Sequence, residues 1–354
     1  MTILRILHLV GSAYNDYYYE LSTHYAKPCV KLTADPSRYE SQIAHIAPDR
    51  QWRFPDSLSP EDIAVAKPMP LIEALQFITA QNIDVVIPQM YCIPGMTHYR
   101  ALFDLLKIPY IGNTPDVMAN AAHKARAKGI VEAAGVKVPR GELLRQGDVP
   151  TIPPPVVVKP ASTDNSLGVV LVKDVTEYDA ALKQAFEYDS EVIVETFIEL
   201  GREVRGGIIV KDGELVGLPL QEYLVDPHET PIRDYADKFH KPNDLNLQSS
   251  AKNNIKAWTV DPNDPIVQKV QQVTKKCHQA LGCRHYSLFD FRIDTNGQPW
   301  FLEAGPYCSF DPNSVICCMA KAAGIPLDEL LTIAINETLS SSQERKIRDY
   351  EFRW

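Results

Sequence analysis

Short apolar runs alternate with stretches of helical period along the first third of the chain. Residues 3–10 (ILRILHLV) and 83–88 (IDVVIP) each predict a buried strand, and residues 71–82 and 97–107 predict helices. Strands that alternate with helices predict a doubly wound parallel sheet. Residues 35–70 are rich in Pro, Asp and Ser and show neither period, so they predict no particular element.

The pattern changes in the middle of the chain. Thr-Pro-Asp at residues 114–116 combines an N-cap residue, a proline at the first helical position and an acid. This start predicts a helical stretch, in one or two pieces, that ends at Gly135. The runs VVVK at 156–159 and LGVVLV at 167–172 predict paired strands, joined by a tight polar loop at 161–166.

Hairpins dominate the last part of the chain. Asp212-Gly213 and Asn296-Gly297 each lie between two strand-like runs, which is the strongest short signal of a hairpin. Residues 225–262 form a long polar segment, which predicts a functional loop such as a lid. The whole pattern predicts a fold that combines an α/β part with an α+β part.

Composition narrows the class of protein. The 354 residues are 45% apolar and 23% charged, as in an ordinary globular protein, and the net charge of −9 argues against nucleic acid or an anionic membrane as the main partner. No run approaches the roughly 18 apolar residues of a membrane-spanning helix, and residues 3–10 fit a buried strand better than a signal peptide. The seven cysteines have no metal-binding spacing and predict free thiols in a reducing cytoplasm.

The last hairpin contains two acids whose relation depends on strand register. A turn at 295–298 predicts a pairing in which the numbers of opposite residues add up to about 593. This pairing places three pairs directly opposite each other: Ile293 and Trp300, Phe291 and Leu302, and Asp290 and Glu303. Like charges in opposite positions are destabilising unless a cation lies between them, and two carboxylates on rigid strands suit Mg²⁺. The alternative is a solvated sheet face on which Arg292 neutralises both acids.

Lysines in this chain predict contacts with phosphate. The sequence contains neither GxxxxGK[ST] nor GxGxxG. Lys159 ends the buried run VVVK immediately before a loop of small residues, whose N–H groups can face phosphate oxygens. Lys124 lies on the helical stretch that leads to this region. For each lysine, the alternative is a surface side chain with its charge in water.

These segments occur in a distinctive order: Lys124, VVVKPASTDNSLG, VIVETFIELGREV, RDYADKF and FDFRIDTNGQPWFLEAGP. The order resembles the ATP-grasp superfamily and specifically the D-alanine–D-alanine ligase branch, over nearly the whole chain and most weakly before residue 110. Within that branch, the chain looks most similar to the ligase homologues of mycosporine-like amino acid biosynthesis. Such enzymes join an amino acid such as threonine or serine to mycosporine-glycine. The resemblance implies an ATP-grasp fold in three parts: a Rossmann-like N-terminal domain at 1–112, a small central α+β subdomain at 113–188 and a C-terminal antiparallel-sheet subdomain at 189–354. It also implies small-molecule substrates, ATP and one or two Mg²⁺ ions, with a homodimer as a candidate assembly.

The resemblance also implies a role for each matching residue. It implies that the ATP phosphates are contacted by Lys124, Lys159 and the 161–168 loop with Ser166. It places Glu195, Phe197 and Ile198 at the adenine, Glu203 at the ribose hydroxyls and Lys238 in the loop that closes over the site. It also implies that Mg²⁺ is bound by Asp290 and Glu303, and that Ser314 binds the carboxylate of the incoming amino acid. The tyrosines in AYNDYYYE at 13–20 lie where the family contacts its first substrate. Two roles are open for them: stacking on a flat substrate ring, or packing between domains.

Three positions depart from the family pattern. Leu288 replaces an arginine, Gly305 an asparagine and Phe239 a tyrosine. One interpretation is ligation to mycosporine-glycine, in which a ring oxygen is phosphorylated and an arginine at 288 is less needed. A second is a dipeptide or other carboxylate–amine ligase in which the arginine is supplied from elsewhere in the chain, for instance by Arg284. The third is a nucleotide-binding regulator that has lost its chemistry.

Overall fold

The computed structural model describes residues 3–163, 166–226, 231–232 and 257–351, without the side chains of 342–351. Lys238 and Phe239 lie outside these ranges, as does most of the lid predicted at 225–262. The last part of that segment contains a strand, Ala257–Thr259, which pairs with Gln221–Tyr223. This end of the predicted lid therefore belongs to a sheet.

The N-terminal part is a four-stranded sheet covered by helices. Its strands are β1 (Leu4–Gly11), β2 (Tyr39–Ile46), β3 (Trp52–Arg53) and β4 (Val85–Pro88), in the order β3-β2-β1-β4. The helices are α1 (Asp16–Leu32), α2 (Pro60–Val65), α3 (Leu71–Ala80), α4 (Ile93–Met96) and α5 (His98–Leu105). Because β1 runs parallel to both β2 and β4, the predicted parallel sheet is confirmed, with β3 as an antiparallel edge.

Residues 35–70 contain β2, β3 and α2, which the sequence pattern did not predict. The second half of β2, from Ile43 onward, is buried at every position, whereas Glu40 and Ser41 are exposed. A strand that enters the interior halfway along its length shows neither strict alternation nor a continuous apolar run. β3 has only two residues, too few for any period to appear.

A helix pair and a second sheet form the central part. The helices are α6 (Pro115–Ala122), α7 (Lys124–Ala133) and, between the last two strands, α8 (Tyr178–Phe186). The strands are β5 (Gly141–Arg145), β6 (Val156–Pro160), β7 (Val170–Val172) and β8 (Glu191–Thr196), in the antiparallel order β5-β8-β6-β7. The predicted pairing of β6 with β7 is confirmed. Since β8 completes this sheet, the sheet extends past residue 188, where the sequence suggested a boundary.

The C-terminal part is a larger antiparallel sheet. Its strands are β9 (Arg202–Lys211), β10 (Glu214–Gly217), β11 (Gln221–Tyr223), β12 (Ala257–Thr259), β13 (Tyr286–Ile293) and β14 (Pro299–Ala304). Five of them follow the order β12-β11-β9-β13-β14, and β10 forms the predicted hairpin with β9. Three helices complete the part: α9 (Pro265–Ala280), α10 (Val315–Ala322) and α11 (Leu327–Glu351). None of the helices in the described ranges is both long and apolar enough to cross a bilayer.

The register of the last hairpin differs from the prediction near its turn. The backbone N–H of Asp294 donates to the carbonyl of Gln298, so the turn is one residue shorter than expected. The prediction for Ile293 and Phe291 is therefore wrong, because their partners are Pro299 and Phe301. A bulge then follows, in which Leu302 is the extra residue. The bulge restores the predicted pairing of Asp290 with Glu303, which is confirmed.

The two faces of β13 have different environments. Phe289 and Phe291 point into a core formed with α7 and α9. On the other face, Tyr286 and Leu288 belong to a second core, which α10, α11 and strands β1 and β4 also line. This second face continues to Asp290 and Arg292, both buried. One face of a single strand thus passes from apolar packing to charged side chains, at the edge of the candidate site.

Candidate functional site

The central and C-terminal sheets flank an open cavity. Eight of the residues singled out from the sequence line it: Lys124, Lys159, Ser166, Glu195, Ile198, Glu203, Asp290 and Glu303. Val157, Val169 and Leu302 add apolar lining between these polar groups. The structure therefore brings together residues that lie as far as 179 positions apart in the sequence.

Two lysines and one acid form a buried cluster at the wall on the central sheet, and two of the three, Lys159 and Glu195, line the cavity. Glu195 on β8 lies 2.7 Å from Nζ of Lys159 on β6 and 3.0 Å from Nζ of Lys128 on α7. Lys159 makes a hydrogen bond to Oε1, whereas Lys128 lacks hydrogen-bond geometry toward Oε2 and donates to the carbonyl of Phe301 at 3.2 Å. We call Lys128, Lys159 and Glu195 the lysine cluster. It carries a net positive charge in a largely buried wall.

Burial and pairing compete within the lysine cluster. Burial lowers the pKa of Lys128 to about 8, although Glu195 acts in the opposite direction. Burial also raises the pKa of Glu195, but the two lysines outweigh that effect and the net shift is downward. Sequence reasoning did not identify Lys128. Its only signal was the spacing of four residues from Lys124, which places both side chains on one face of α7.

Lys124 holds the loop that follows β6. It is the first residue of α7, and its Nζ donates to the carbonyl of Thr163 and, at 3.4 Å, to that of Pro160. The same loop contains Ser166, with a φ of 60°, and Gly168, with a φ of 71°. A loop of small residues with such left-handed positions can direct N–H groups at one anion.

Three charged residues lie side by side on neighbouring strands at the opposite wall, where Asp290 and Glu303 line the cavity and Arg205 lies next to Asp290. Arg205 on β9 lies opposite Asp290 on β13, which in turn lies opposite Glu303 on β14. We call these residues the carboxylate row. Arg205 donates from Nε and Nη2 to the two oxygens of Asp290, with 2.5 Å between Nη2 and Oδ2. Asp290 is 7% exposed, so the alternative of a solvated acidic face is wrong.

Arg292 also differs from the expectation, because it neutralises Glu203 rather than the two acids of the carboxylate row. Its Nη2 lies 2.9 Å from Oε2 of Glu203, its Nη1 donates to the carbonyl of Ile198 at 3.2 Å, and the guanidinium carbon lies 5.4 Å from the centre of the Phe197 ring. Arg292 therefore contacts three of the four residues that the resemblance associated with adenosine, namely Phe197, Ile198 and Glu203. Phe197 itself supports this corner without lining the cavity.

The donors present fit a Mg²⁺ ion. Mg²⁺ in nucleotide sites takes one or two carboxylates and completes its octahedron with water and phosphate oxygens. Asp290 and Glu303 supply two carboxylates on adjacent rigid strands, and a carboxylate paired with an arginine keeps further lone pairs. Gly305 adds no ligand, and no group of three or more His, Cys, Asp or Glu side chains suited to a metal occurs in the described ranges.

Ser314 lies at the N-terminus of α10, as its N-cap residue. Its Oγ is buried and makes no hydrogen bond with any residue that the structure describes. A buried hydroxyl without a partner is costly, and at a helix N-terminus it is well placed to meet an anion. Ser314 is thus a candidate hydrogen-bond donor at this end of α10.

Aromatic residues from the two ends of the chain meet near α1. Tyr91 lies 5.8 Å from Tyr25 and 6.1 Å from Tyr307, measured between ring centres. Within the AYNDYYYE segment, Tyr18 contacts Tyr14 and Tyr17 edge to face. Nothing in the sequence pairs Tyr91 with Tyr307.

Arg284 does not reach the cavity. Its guanidinium donates to the carbonyl of Gly112 and lies 4.9 Å from the centre of the Tyr110 ring. The expectation that it replaces the arginine missing at position 288 is therefore wrong. The seven cysteines are free thiols, as predicted.

Comparisons with known proteins agree with this arrangement. Residues 143–336 match the family model described as D-ala D-ala ligase C-terminus. The chain is 33% identical to the D-alanine–D-alanine ligase of Trichlorobacter lovleyi over 261 residues, which cover 71% of this chain and 75% of that one.

Solved structures show the same fold. The D-alanine–D-alanine ligase from Coxiella burnetii matches with a TM-score of 0.77 at 21% identity, covering 99% of this chain and 100% of its own. The Bacillus anthracis ligase complexed with ATP matches with a TM-score of 0.70 at 20% identity, covering 97% and 99%. The alternative of a regulator without chemistry finds no support in these relatives. This chain is an enzyme, an ATP-grasp ligase that belongs to the D-alanine–D-alanine ligase family.

Proposed function

We propose that the protein is an ATP-dependent ligase that activates one substrate by phosphorylation and joins it to the amine of an amino acid. The observation that carries this proposal is the pair of oppositely charged walls around one cavity. The lysine cluster and Lys124 supply excess positive charge, whereas Asp290 and Glu303 supply negative charge. A polyphosphate held through a divalent cation needs both.

The chemistry proceeds in two steps. First, an oxygen of the first substrate attacks the γ phosphorus of ATP, and the bond to the β–γ bridging oxygen breaks to release ADP. Then the amine attacks the carbon that bears the new phosphate, the carbon–oxygen bond breaks, and inorganic phosphate and a proton leave. Mg²⁺ bound at Asp290 and Glu303 would neutralise charge on the phosphates.

Each wall then has a distinct role. Lys124, Lys159 and the loop with Ser166 bind phosphates, and Glu195 keeps Lys159 in place. Glu203, fixed by Arg292, lies ready to accept hydrogen bonds from the ribose, beside Ile198. Lys238, outside the described residues, is proposed to close over the reacting groups. Exclusion of water protects a phosphorylated intermediate from hydrolysis.

Among first substrates, a carboxylate such as that of D-alanine has the better support, because the relatives that match this chain are D-alanine–D-alanine ligases. A second candidate is mycosporine-glycine, which would be phosphorylated at a ring oxygen. It is favoured by Leu288, a buried apolar residue beside Asp290, and by the aromatic contacts of Tyr91. When the amine attacks, a conjugated ring can take up the charge that develops. In a carboxylate substrate the same attack forms a tetrahedral oxyanion, which needs a hydrogen-bond donor.

Phosphate release from ATP distinguishes the candidates. D-alanine alone should support release if the first substrate is a carboxylate. Mycosporine-glycine together with threonine or serine should support it if a ring oxygen is phosphorylated, and the product should absorb at longer wavelength. No release with any of these substrates would contradict the proposal.

Ser314→Ala tests the amino-acid site. We expect KM for the amino acid to rise about tenfold, with ATP affinity unchanged, since one charge-assisted hydrogen bond is lost. Ser59→Ala is the matched control, because Ser59 is also an N-cap residue but its side chain already accepts the N–H of Asp62. The control should lose about 1 kcal/mol of stability and leave KM unchanged. An unchanged KM in Ser314→Ala would remove the residue from the site.

A further inference from the structure

Arg205 is the one member of the carboxylate row that the proposed function has not used. It holds Asp290 through Nε and Nη2. An arginine has five N–H donors on three nitrogens, so Nη1 with its two N–H groups remains. Within the described part of the chain, Nη1 makes no hydrogen bond, and the side chain is 20% exposed.

The position of the guanidinium is fixed on two sides. Asp290 binds it bidentately, and the ring centre of Tyr223 lies 5.6 Å from its central carbon. A bidentate pair with a stacked aromatic ring leaves little freedom to a planar guanidinium. The unused nitrogen is therefore a preorganised donor beside the two carboxylates proposed for Mg²⁺.

The charge of Arg205 is secure. A guanidinium is not deprotonated in proteins, and its bidentate contact with Asp290 pairs the charge with a carboxylate. Leu288, two residues before Asp290 on the same face of β13, has an apolar side chain that packs in the core with Met319. Arg292, two residues after Asp290, is paired with Glu203, so Arg205 is the cation that pairs with a carboxylate proposed for Mg²⁺.

We propose that Arg205 is a catalytic residue, whose Nη1 donates to a non-bridging oxygen of the phosphoryl group as it moves from ATP to the first substrate. The inference rests on the proposed function. In this step the bond from the γ phosphorus to the bridging oxygen breaks, its electron pair leaves with ADP, and a bond to the substrate oxygen forms. Charge on the phosphoryl oxygens is stabilised by a cation that needs no reorganisation. The transferred phosphoryl group needs this stabilisation whether its acceptor is a carboxylate oxygen or a ring oxygen.

The test compares Arg205→Gln and Arg205→Lys with Arg202→Gln. Arg202 lies on the opposite face of β9, paired with Glu222 and Asp264, and serves as the matched control. Calorimetry with ADP and with a non-hydrolysable ATP analogue separates contacts to the γ-phosphoryl group from those to the rest of the nucleotide. Arg205→Gln should bind ADP as the unmodified protein does, bind the analogue about tenfold more weakly, and lose about 100-fold in kcat.

Arg205→Lys should recover part of kcat, because it keeps the charge, and Arg202→Gln should stay within about threefold of the unmodified protein. Thermal unfolding verifies that each variant is folded. If Arg205→Gln does not fold, Arg205→Lys is compared with Arg202→Gln in its place. Equal loss of affinity for both nucleotides, or a kcat within threefold of the unmodified protein, would overturn the role of Arg205. Failure of the unmodified protein to bind either nucleotide would instead overturn the proposed function, and this role with it.

Discussion

The two charged walls of the cavity differ in how the fold builds them. The lysine cluster draws Lys128 from a helix and Lys159 and Glu195 from two strands of the central sheet. The carboxylate row draws Arg205, Asp290 and Glu303 from three adjacent strands of one sheet. The first has one acid for two bases, and the second one base for two acids. Each wall is thus left with the charge that its ligand would neutralise.

This difference shows what each wall is for. A fully compensated buried network would only contribute to the fold, and often no better than apolar packing would. An excess of one sign in a buried wall costs stability and is tolerated where a ligand supplies the opposite charge. Removal of one charge should therefore affect ligand binding and stability differently in the two walls.

The largest effect is expected in the carboxylate row. Glu303→Gln should lower the turnover number roughly 100-fold or more at ordinary Mg²⁺, because a neutral amide is a poor ligand for a hard cation. The fold should survive, since the change also removes a like charge opposite Asp290. Phosphate release across a Mg²⁺ titration measures the effect.

Glu214→Gln is the control for this prediction, because Glu214 is an exposed carboxylate of the same sheet. It should leave turnover unchanged. Full activity of Glu303→Gln at ordinary Mg²⁺ would remove Glu303 from the proposed metal site.

A smaller loss is expected in the lysine cluster. Lys159→Ala should weaken ATP binding about tenfold and lower the free energy of unfolding by about 2 kcal/mol, because Glu195 keeps only Lys128 as a buried partner. Lys211→Ala, which breaks the exposed pair with Glu329, should cost less than about 1 kcal/mol. Calorimetry with ATP and denaturant unfolding measure the two effects. Equal stability losses in the two variants would show that the buried cluster has no special energetic status.

The lysine cluster should also make the stability of the protein depend on pH. The pKa of Lys128 is lowered to about 8 by burial, against an ordinary value of 10.5. Between these values the unfolded chain holds a proton that the folded chain has released, so this residue makes the free energy of unfolding rise with pH. Lys128→Met should flatten the rise by on the order of 2 kcal/mol between pH 8 and 10.

Urea unfolding at several pH values tests this prediction, with Lys211→Met as the control that should keep the slope of the unmodified protein. An identical slope in Lys128→Met would show that Lys128 titrates in its ordinary range.

Much of the fold was predictable because its signals are local. The hairpins at Asp212-Gly213 and Asn296-Gly297 depend on turn residues, which adopt left-handed conformations at Asp212, Gly213 and Gly297. The two-piece helix before Gly135 begins with its capping signal. The strands in residues 35–70 were not predictable, because burial that changes halfway along β2 depends on what packs over it.

The sequence by itself determined which residues could carry the chemistry. The predicted pairing of Asp290 with Glu303 holds only because a turn one residue shorter than predicted is offset by a bulge at Leu302, which the sequence did not predict. Only the tertiary structure decided which cations meet these acids. Arg205 contacts Asp290 on a neighbouring strand, although the two residues are 85 positions apart in the sequence. Lys128 contacts Glu195 from a helix packed against the sheet. No local hydrophobic period predicts either contact. Charge pairing in a folded chain depends on distances in space, which the sheet order and helix packing set.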